Sequence, residues 1–139
     1  MHGPYDLERF LKAQDPVYEE VLRELRAGRK TSHWMSFVFP QIAGLGHSSM
    51  SRHYAISGRG EAVAYAGHPV LGARLRECTA LVNAVQGRSA REIFASPDDL
   101  KFRSCMTLFA ECAEDGEVFR AALEKYFGGE GDPLTLQRL

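Results

Sequence analysis

The chain has 139 residues, 45% of them hydrophobic and 25% charged, with a formal net charge of -1 at pH 7. That size suits one domain, and a chain this long can bury roughly 68% of its unfolded surface in one core. The composition excludes a disordered, collagenous or coiled-coil chain. No apolar run approaches the ~18–20 residues of a membrane span, and Met1 to Phe10 carries no hydrophobic signal core. The charge balance argues against bulk electrostatic attachment to nucleic acid or to a membrane.

In chain order, Leu7, Phe10 and Leu11 have helical spacing, followed by Val17, Val21, Leu22 and Leu25. Pro16 suits the first turn of the second helix with Asp15 as its cap, and Gly28 ends it. Ser32 to Pro40 is apolar all round; it reads as a short buried helix capped by Thr31 or Ser32, or as a strand over Met35 to Phe39. Gln41 to Ser51, with Gly44 and Gly46, reads as an ordered loop. Glu61 to Gly67 is a short Ala-rich helix. His68-Pro69 breaks the chain and starts the longest helix, to about Gln86, with Leu71, Leu75, Cys78, Val82 and Val85 as its core stripe. Ser89 to Glu92 is a capping box, and Ser96-Pro97-Asp98-Asp99 starts a helix carrying Leu100, Cys105, Leu108, Phe109 and Cys112. A last long helix, near Gly116 to Phe127, buries Val118, Phe119, Ala122, Leu123, Tyr126 and Phe127. Gly128-Gly129 ends it, and Asp132-Pro133 starts a final turn. The expectation is an all-α, compact, single-domain bundle of six to eight short and medium helices over residues 1–139.

One segment is unusual. The 36 residues between Glu24 and Glu61 contain no Asp or Glu. Of the chain's 17 basic residues five fall here: Arg26, Arg29, Lys30, Arg52 and Arg59, with His33, His47 and His53 among them. Within it, Gly44-Leu45-Gly46-His47-Ser48-Ser49 has the chemistry of an anion cradle: glycines let backbone N–H groups converge, and serines add donors. A helix starting near Ser49 or Ser51 adds positive potential. Lys30 and Arg52, with Arg74 or Lys101, supply charge. Trp34 or Tyr54 supplies a flat face, Gln41 and His47 orient a ligand, and His33 belongs to the same candidate site. The run matches neither a Walker loop nor G-x-G-x-x-G.

Each residue also has a structural explanation. Trp34, Phe37 and Phe39 suit a core, the glycines suit left-handed turns, and His33 suits a cap or an internal pair. His47 and His53 lack metal-ligand spacing, so no metal and no cofactor is expected. Glu61 serves as a general base or as a helix-start acid. Cys78, Cys105 and Cys112 do not form a secreted disulfide framework; they read as buried small hydrophobes in a reducing, cytoplasmic compartment. A nucleophilic Cys105 is the other option.

Ser32-His33-Trp34-Met35, Phe39-Pro40-Gln41, Gly44-Leu45-Gly46-His47-Ser48 and Tyr54-Ala55-Ile56 resemble the N-terminal signature of a known family. His68 to Gly72 with Arg74-Leu75, and Asp99-Leu100-Lys101 with Ser104 and Met106 to Phe109, resemble its second half. This is the bacterial domain of unknown function 1810 family, whose members often carry a calpastatin-like label. The resemblance runs from about Tyr5 to Leu136. It implies a small, mainly helical, cytoplasmic protein and carries over no catalytic residues. Ser36 and Cys105 depart from the commoner pattern.

The functional expectation is a pocket for an anionic small molecule, nucleotide or ADP-ribose-like, built on residues 30–54. If a reaction occurs there, it is hydrolysis or transfer at a glycosidic or phosphate bond, with His47 or Glu61 as acid or base. The alternative is a non-enzymatic protein-interaction domain using the same basic segment. Sequence-specific nucleic-acid binding is the weakest reading, because no helix carries a repeated basic stripe. Oligomeric state is left open.

Overall fold

The structure is a computed structural model that describes residues 3–139; Met1 and His2, which begin the stretch read as lacking a signal core, lie outside it. Ten helices occur among the described residues: α1 Glu8–Gln14, α2 Tyr18–Arg26, α3 Met35–Val38, α4 Ser49–His53, α5 Arg59–Gly67, α6 Leu71–Ala84, α7 Ala90–Phe94, α8 Asp98–Cys112, α9 Glu117–Phe127 and α10 Pro133–Gln137. The all-α expectation holds. The expected six to eight helices are exceeded because α3, α4, α7 and α10 are four or five residues each. Segments so short are marginal by propensity and form only through tertiary contacts. No described helix is long and apolar enough to cross a membrane.

The centre of the molecule is α8, which packs against α5, α7, α9 and α10, while α6 bridges α2, α5 and α9. Along α8, Phe102, Cys105, Met106, Leu108 and Phe109 are fully buried. Each such side chain contributes roughly 1.5–3 kcal/mol of transfer free energy. Phe102 stacks on Phe94 at 4.7 Å between ring centroids and meets Phe39 edge-on at 5.1 Å. These rings tie α7 and the α3 segment to the hub. Leu100, expected in this stripe, is 56% exposed instead. It lies in the first turn of α8, before the helix enters the core. The longest helix is α8 with 15 residues, one more than α6.

The ends of the helices test the cap assignments. Ser89 and Glu92 form the expected capping box on α7, Asp132 caps α10, and left-handed Gly128 ends α9. Asp15 does not cap α2, which begins at Tyr18 after Val17; its carboxylate pairs with Arg74 at 2.8 Å. Neither Thr31 nor Ser32 caps α3, whose N-cap is Trp34. His68 does more than turn the chain: its Nδ1 accepts the amides of Val70 and Leu71, both at 3.1 Å, at the start of α6. The strand alternative over Met35 to Phe39 is replaced by α3.

Two buried carboxylates bracket the acid-free stretch and hold its ends. Glu24 accepts the Thr31 amide at 2.7 Å, the Ser32 amide at 3.0 Å, the Ser32 hydroxyl at 2.6 Å and the Trp34 indole N–H at 3.0 Å. Burial pushes its carboxyl upward, but the donors from Ser32, Thr31 and Trp34 outweigh that and hold it down at about 2. Glu61 accepts the Ser57 amide at 2.8 Å and pairs with Arg9 at 3.0 Å. Arg9 also donates to the carbonyls of His53 and Ala55, both at 2.9 Å, which secures the end of α4. Between these anchors, Ile42 and Ile56 form a parallel bridge, with Ala43 N–H to Ile56 carbonyl and Ile56 N–H to Gln41 carbonyl at 2.8 Å each. The bridge closes the neck of a loop that carries the glycines and α4.

The anchors give a pH dependence. Glu24's folded pKa lies below its ordinary 4.5, so its stabilisation is whole above pH 4.5 and is lost as pH falls toward 2. Glu24→Gln is expected to cost on the order of 3 kcal/mol at pH 7. In urea titrations the gap to the parent protein narrows steadily from pH 4.5 to pH 2; a gap independent of pH contradicts the assignment. Close packing of α5 on α6 is tested by two glycines. A Cβ on Gly72 would lie 2.2 Å from the Ala66 carbonyl oxygen, whereas one on Gly67 meets nothing within 4 Å. Gly72→Ala is expected to destabilise by about 1–3 kcal/mol, and Gly67→Ala to leave the urea midpoint unchanged or raise it.

Candidate functional site

The neck formed by Ile42 and Ile56 projects the Gln41–Ser48 loop toward the start of α8 and the C-terminal segment. Between them lies a cleft of about 560 Å³. One wall is Gln41, Gly44, Leu45, Gly46, His47, Ser48 and Ser51. The opposite walls come from Pro97, Leu100, Lys101, Arg103 and Ser104 around α8, and from Asp132, Leu134 and Arg138 around α10.

The loop conformation explains its glycines. Gly44 has φ +99, and a Cβ there would lie 2.4 Å from Nη1 of Arg138. A Cβ on Gly46 would lie 2.4 Å from Cβ of Ser51. Both glycines therefore permit close approach, Gly44 to a cation and Gly46 to α4. The Ala43 amide is spent on the neck. The amides of Gly44, Gly46, His47 and Ser48 have no hydrogen-bond acceptor among the described residues. The Ser48 hydroxyl is occupied: it accepts the Ser51 amide at 3.1 Å and caps α4. That helix begins at Ser49, at one of the two starts expected.

The opposite wall is braced by Asp132. Its Oδ2 accepts the Ser104 hydroxyl at 3.0 Å, the Thr135 amide at 3.2 Å and the Thr135 hydroxyl at 2.6 Å. Its amide donates to Thr107 Oγ1 at 2.8 Å. Arg103 donates to the carbonyls of Glu130 and Gly131, both at 3.1 Å. These bonds dock the α10 segment on α8 and so give the cleft a fixed floor.

Of the ten ligand-site residues expected from the sequence, the structure brings together Gln41, Gly44, Gly46, His47 and Ser48. Lys30 is withdrawn: its ammonium pairs with Asp98 at 2.9 Å and lies 5.1 Å from the Trp34 ring centroid. Trp34 is 1% exposed, with its N–H on Glu24, so it offers no stacking face. Tyr54 packs against Phe37 and Phe10 at 5.4 and 5.8 Å between centroids. His33 and Arg52 are exposed away from the cleft lining. Arg74, a further charge candidate, serves Asp15 and Gln14, whereas Lys101 does line the cleft. Glu61 is engaged with Arg9 and Ser57 and stands outside the lining, which leaves His47 as the acid–base candidate at the cleft.

The sequence reading missed Arg103 and Arg138. No local pattern marks them; only the packing of α10 on α8 carries them to the glycine loop. The cysteines are free and buried. Burial pushes the Cys78 thiol up to about 12 and the Cys105 and Cys112 thiols upward too, which suppresses the thiolate a nucleophile needs.

The family described as "Protein of unknown function (DUF1810)" matches residues 4–139. The chain belongs to that family. A solved structure similar to it is the conserved hypothetical protein Rv1873 from Mycobacterium tuberculosis, at 56% identity over 99% of this chain and 98% of that one, with a TM-score of 0.97. No curated protein matches the sequence. The family resemblance read from the Trp34 to Tyr54 region is thus correct, and the residues that carry it divide between two tasks. Some build the core, such as Trp34, or pack against it, such as Tyr54, and others, Gly44 to Ser48, line the cleft.

Thiol burial predicts slow labelling. Native protein treated with Ellman's reagent at pH 8 is expected to react at all three cysteines at least tenfold more slowly than protein in 6 M guanidinium; fast native reaction at one cysteine would restore a reactive-thiol reading.

Proposed function

We propose that the protein binds an anionic small molecule, nucleotide or ADP-ribose-like, in the cleft beside the Gly44–Ser48 loop. The observation that carries this reading is the meeting, in one concavity, of unspent main-chain N–H groups with Lys101, Arg103 and Arg138. Backbone donors held on a rigid loop fit an oxyanion, and guanidinium groups bind phosphate through paired N–H bonds. The volume of about 560 Å³ suits a small ligand rather than a bare ion.

The concave lining favours this over a protein-interaction module, which would spread its cations on a convex face. The charge differs from the expectation, since Lys30 and Arg52 give way to residues of α8 and the C-terminal segment. Buried free cysteines support a reducing, cytoplasmic setting. His47 stands at the cleft as a group able to exchange protons, but binding alone accounts for the lining.

Scanning fluorimetry with nucleotides, ADP-ribose and sugar phosphates tests the reading. A ligand at one hundred times its Kd adds about 2.7 kcal/mol, and an upward shift in Tm of several degrees is expected with at least one of these. Arg138→Gln is expected to abolish most of that shift while leaving the unliganded Tm unchanged, because Arg138 is exposed. No shift with any anion removes the reading.

A further inference from the structure

The cleft is not uniformly polar. Leu100, at the start of α8, is 56% exposed, and Leu134, at the start of α10, is 57% exposed. Both line the same cleft, together with Pro97 and Leu45. Leucines left more than half in water on two walls of one concavity form an apolar half-site. The other half holds the Gly44–Ser48 amides with Arg138 against Gly44.

The charges narrow the ligand further. Three cations line the cleft against one carboxylate, Asp132. Lys101 and Arg103 have only distant carboxylate neighbours, Asp98 at 3.8 Å and Glu130 at 3.9 Å, and Arg138 forms no ion pair among the described residues. Asp132, at the start of α10, is bonded to Ser104 and Thr135 and disfavours an anion at that end of the helix, whereas Arg138 lies at the other end, against Gly44. The positive lining, with Arg138 unpaired among the described residues, complements a phosphomonoester, which carries about −1.5 to −2 at pH 7. A bare phosphate would occupy only a few times the ~30 Å³ share of a water molecule and would leave most of the cleft empty.

Building on the anion-binding reading above, we propose that the ligand is a phosphomonoester with a flat or apolar organic body. Its phosphate sits on the Gly44–Ser48 amides and Arg138, and its body lies against Leu100 and Leu134. A nucleoside monophosphate has this chemistry, and so does a simple aryl phosphate.

Calorimetric titration of the full chain with inorganic phosphate, phenyl phosphate and phenol separates the two halves. Phenyl phosphate is expected to bind at least tenfold more tightly than inorganic phosphate, and phenol not measurably. Leu100→Ser and Leu134→Ser alter exposed positions, so both variants keep the parent Tm. Each is expected to weaken phenyl phosphate several-fold and to leave inorganic phosphate unchanged. Arg138→Gln is expected to weaken both anions. Equal affinity for the two anions, or a phenyl advantage that survives both serine variants, overturns the apolar half-site while the anion reading stands. Failure of both anions to bind overturns the phosphomonoester proposal, and the anion reading falls with it only where nucleotides, ADP-ribose and sugar phosphates also give no shift in Tm.

Discussion

The carboxylate of Glu24 is the contact on which the site depends. It gathers four donors from Thr31, Ser32 and Trp34 and so turns the chain sharply out of α2. That turn delivers Trp34, Phe37 and Phe39 into the core, all 6% exposed or less. With those rings fixed, Ile42 is positioned to bridge Ile56. At the other end Glu61 and Arg9 hold Ser57, Ala55 and His53. A glycine-rich loop is entropically costly to fix; here both its ends are fixed by buried charge, and the loop keeps donors that its own fold does not use.

This arrangement gives the acid-free stretch a different meaning from the one its charge suggests. The 36 residues lack carboxylates of their own, yet the nearest carboxylate on each side folds back on them. Lys30 is drawn to Asp98, and Arg26, Arg29, Arg52 and Arg59 remain at the surface away from the cleft. The basic excess is therefore not a converging field. The cations at the cleft come from α8 and from Arg138, more than fifty residues beyond the Gly44–Ser48 loop in sequence.

What the sequence makes legible follows from the range of the interactions involved. Local rules locate the capping box at Ser89 and Glu92, the Asp132 cap and the Gly128 stop, because each is set within a few residues. They fail where a distant partner competes. Asp15 leaves the cap of α2 for Arg74, and Ser32 leaves the cap of α3 for Glu24. Leu100 fits the helical stripe but falls on the turn of α8 that borders the cleft. For the site, the glycine loop is legible because close backbone approach requires glycine, and Gly44 and Gly46 both stand where a Cβ would collide. Trp34 and Tyr54 are ambiguous from sequence, since an aromatic ring serves a core and a ligand equally well, and the structure spends both rings on packing.

The docking of α10 is what turns a loop into a cleft. Without it, the Gln41–Ser48 segment would face open water, where an exposed amide gains little from meeting an anion. Asp132 secures the docking through Ser104, Thr107 and Thr135, and Arg103 ties the preceding carbonyls to α8. None of those bonds uses the Gly44–Ser48 amides or Arg138. Arg103, Ser104 and Asp132 thus brace the wall while lining the cleft, whereas Arg138 and the amides of Gly44, Gly46, His47 and Ser48 take no part in the brace. The carboxylate within the lining is committed to the wall by three accepted bonds, and so it holds α10 in place. A single segment of the chain, residues 130–138, supplies the brace, an apolar surface and a cation, and that is why the cleft has two chemically distinct ends.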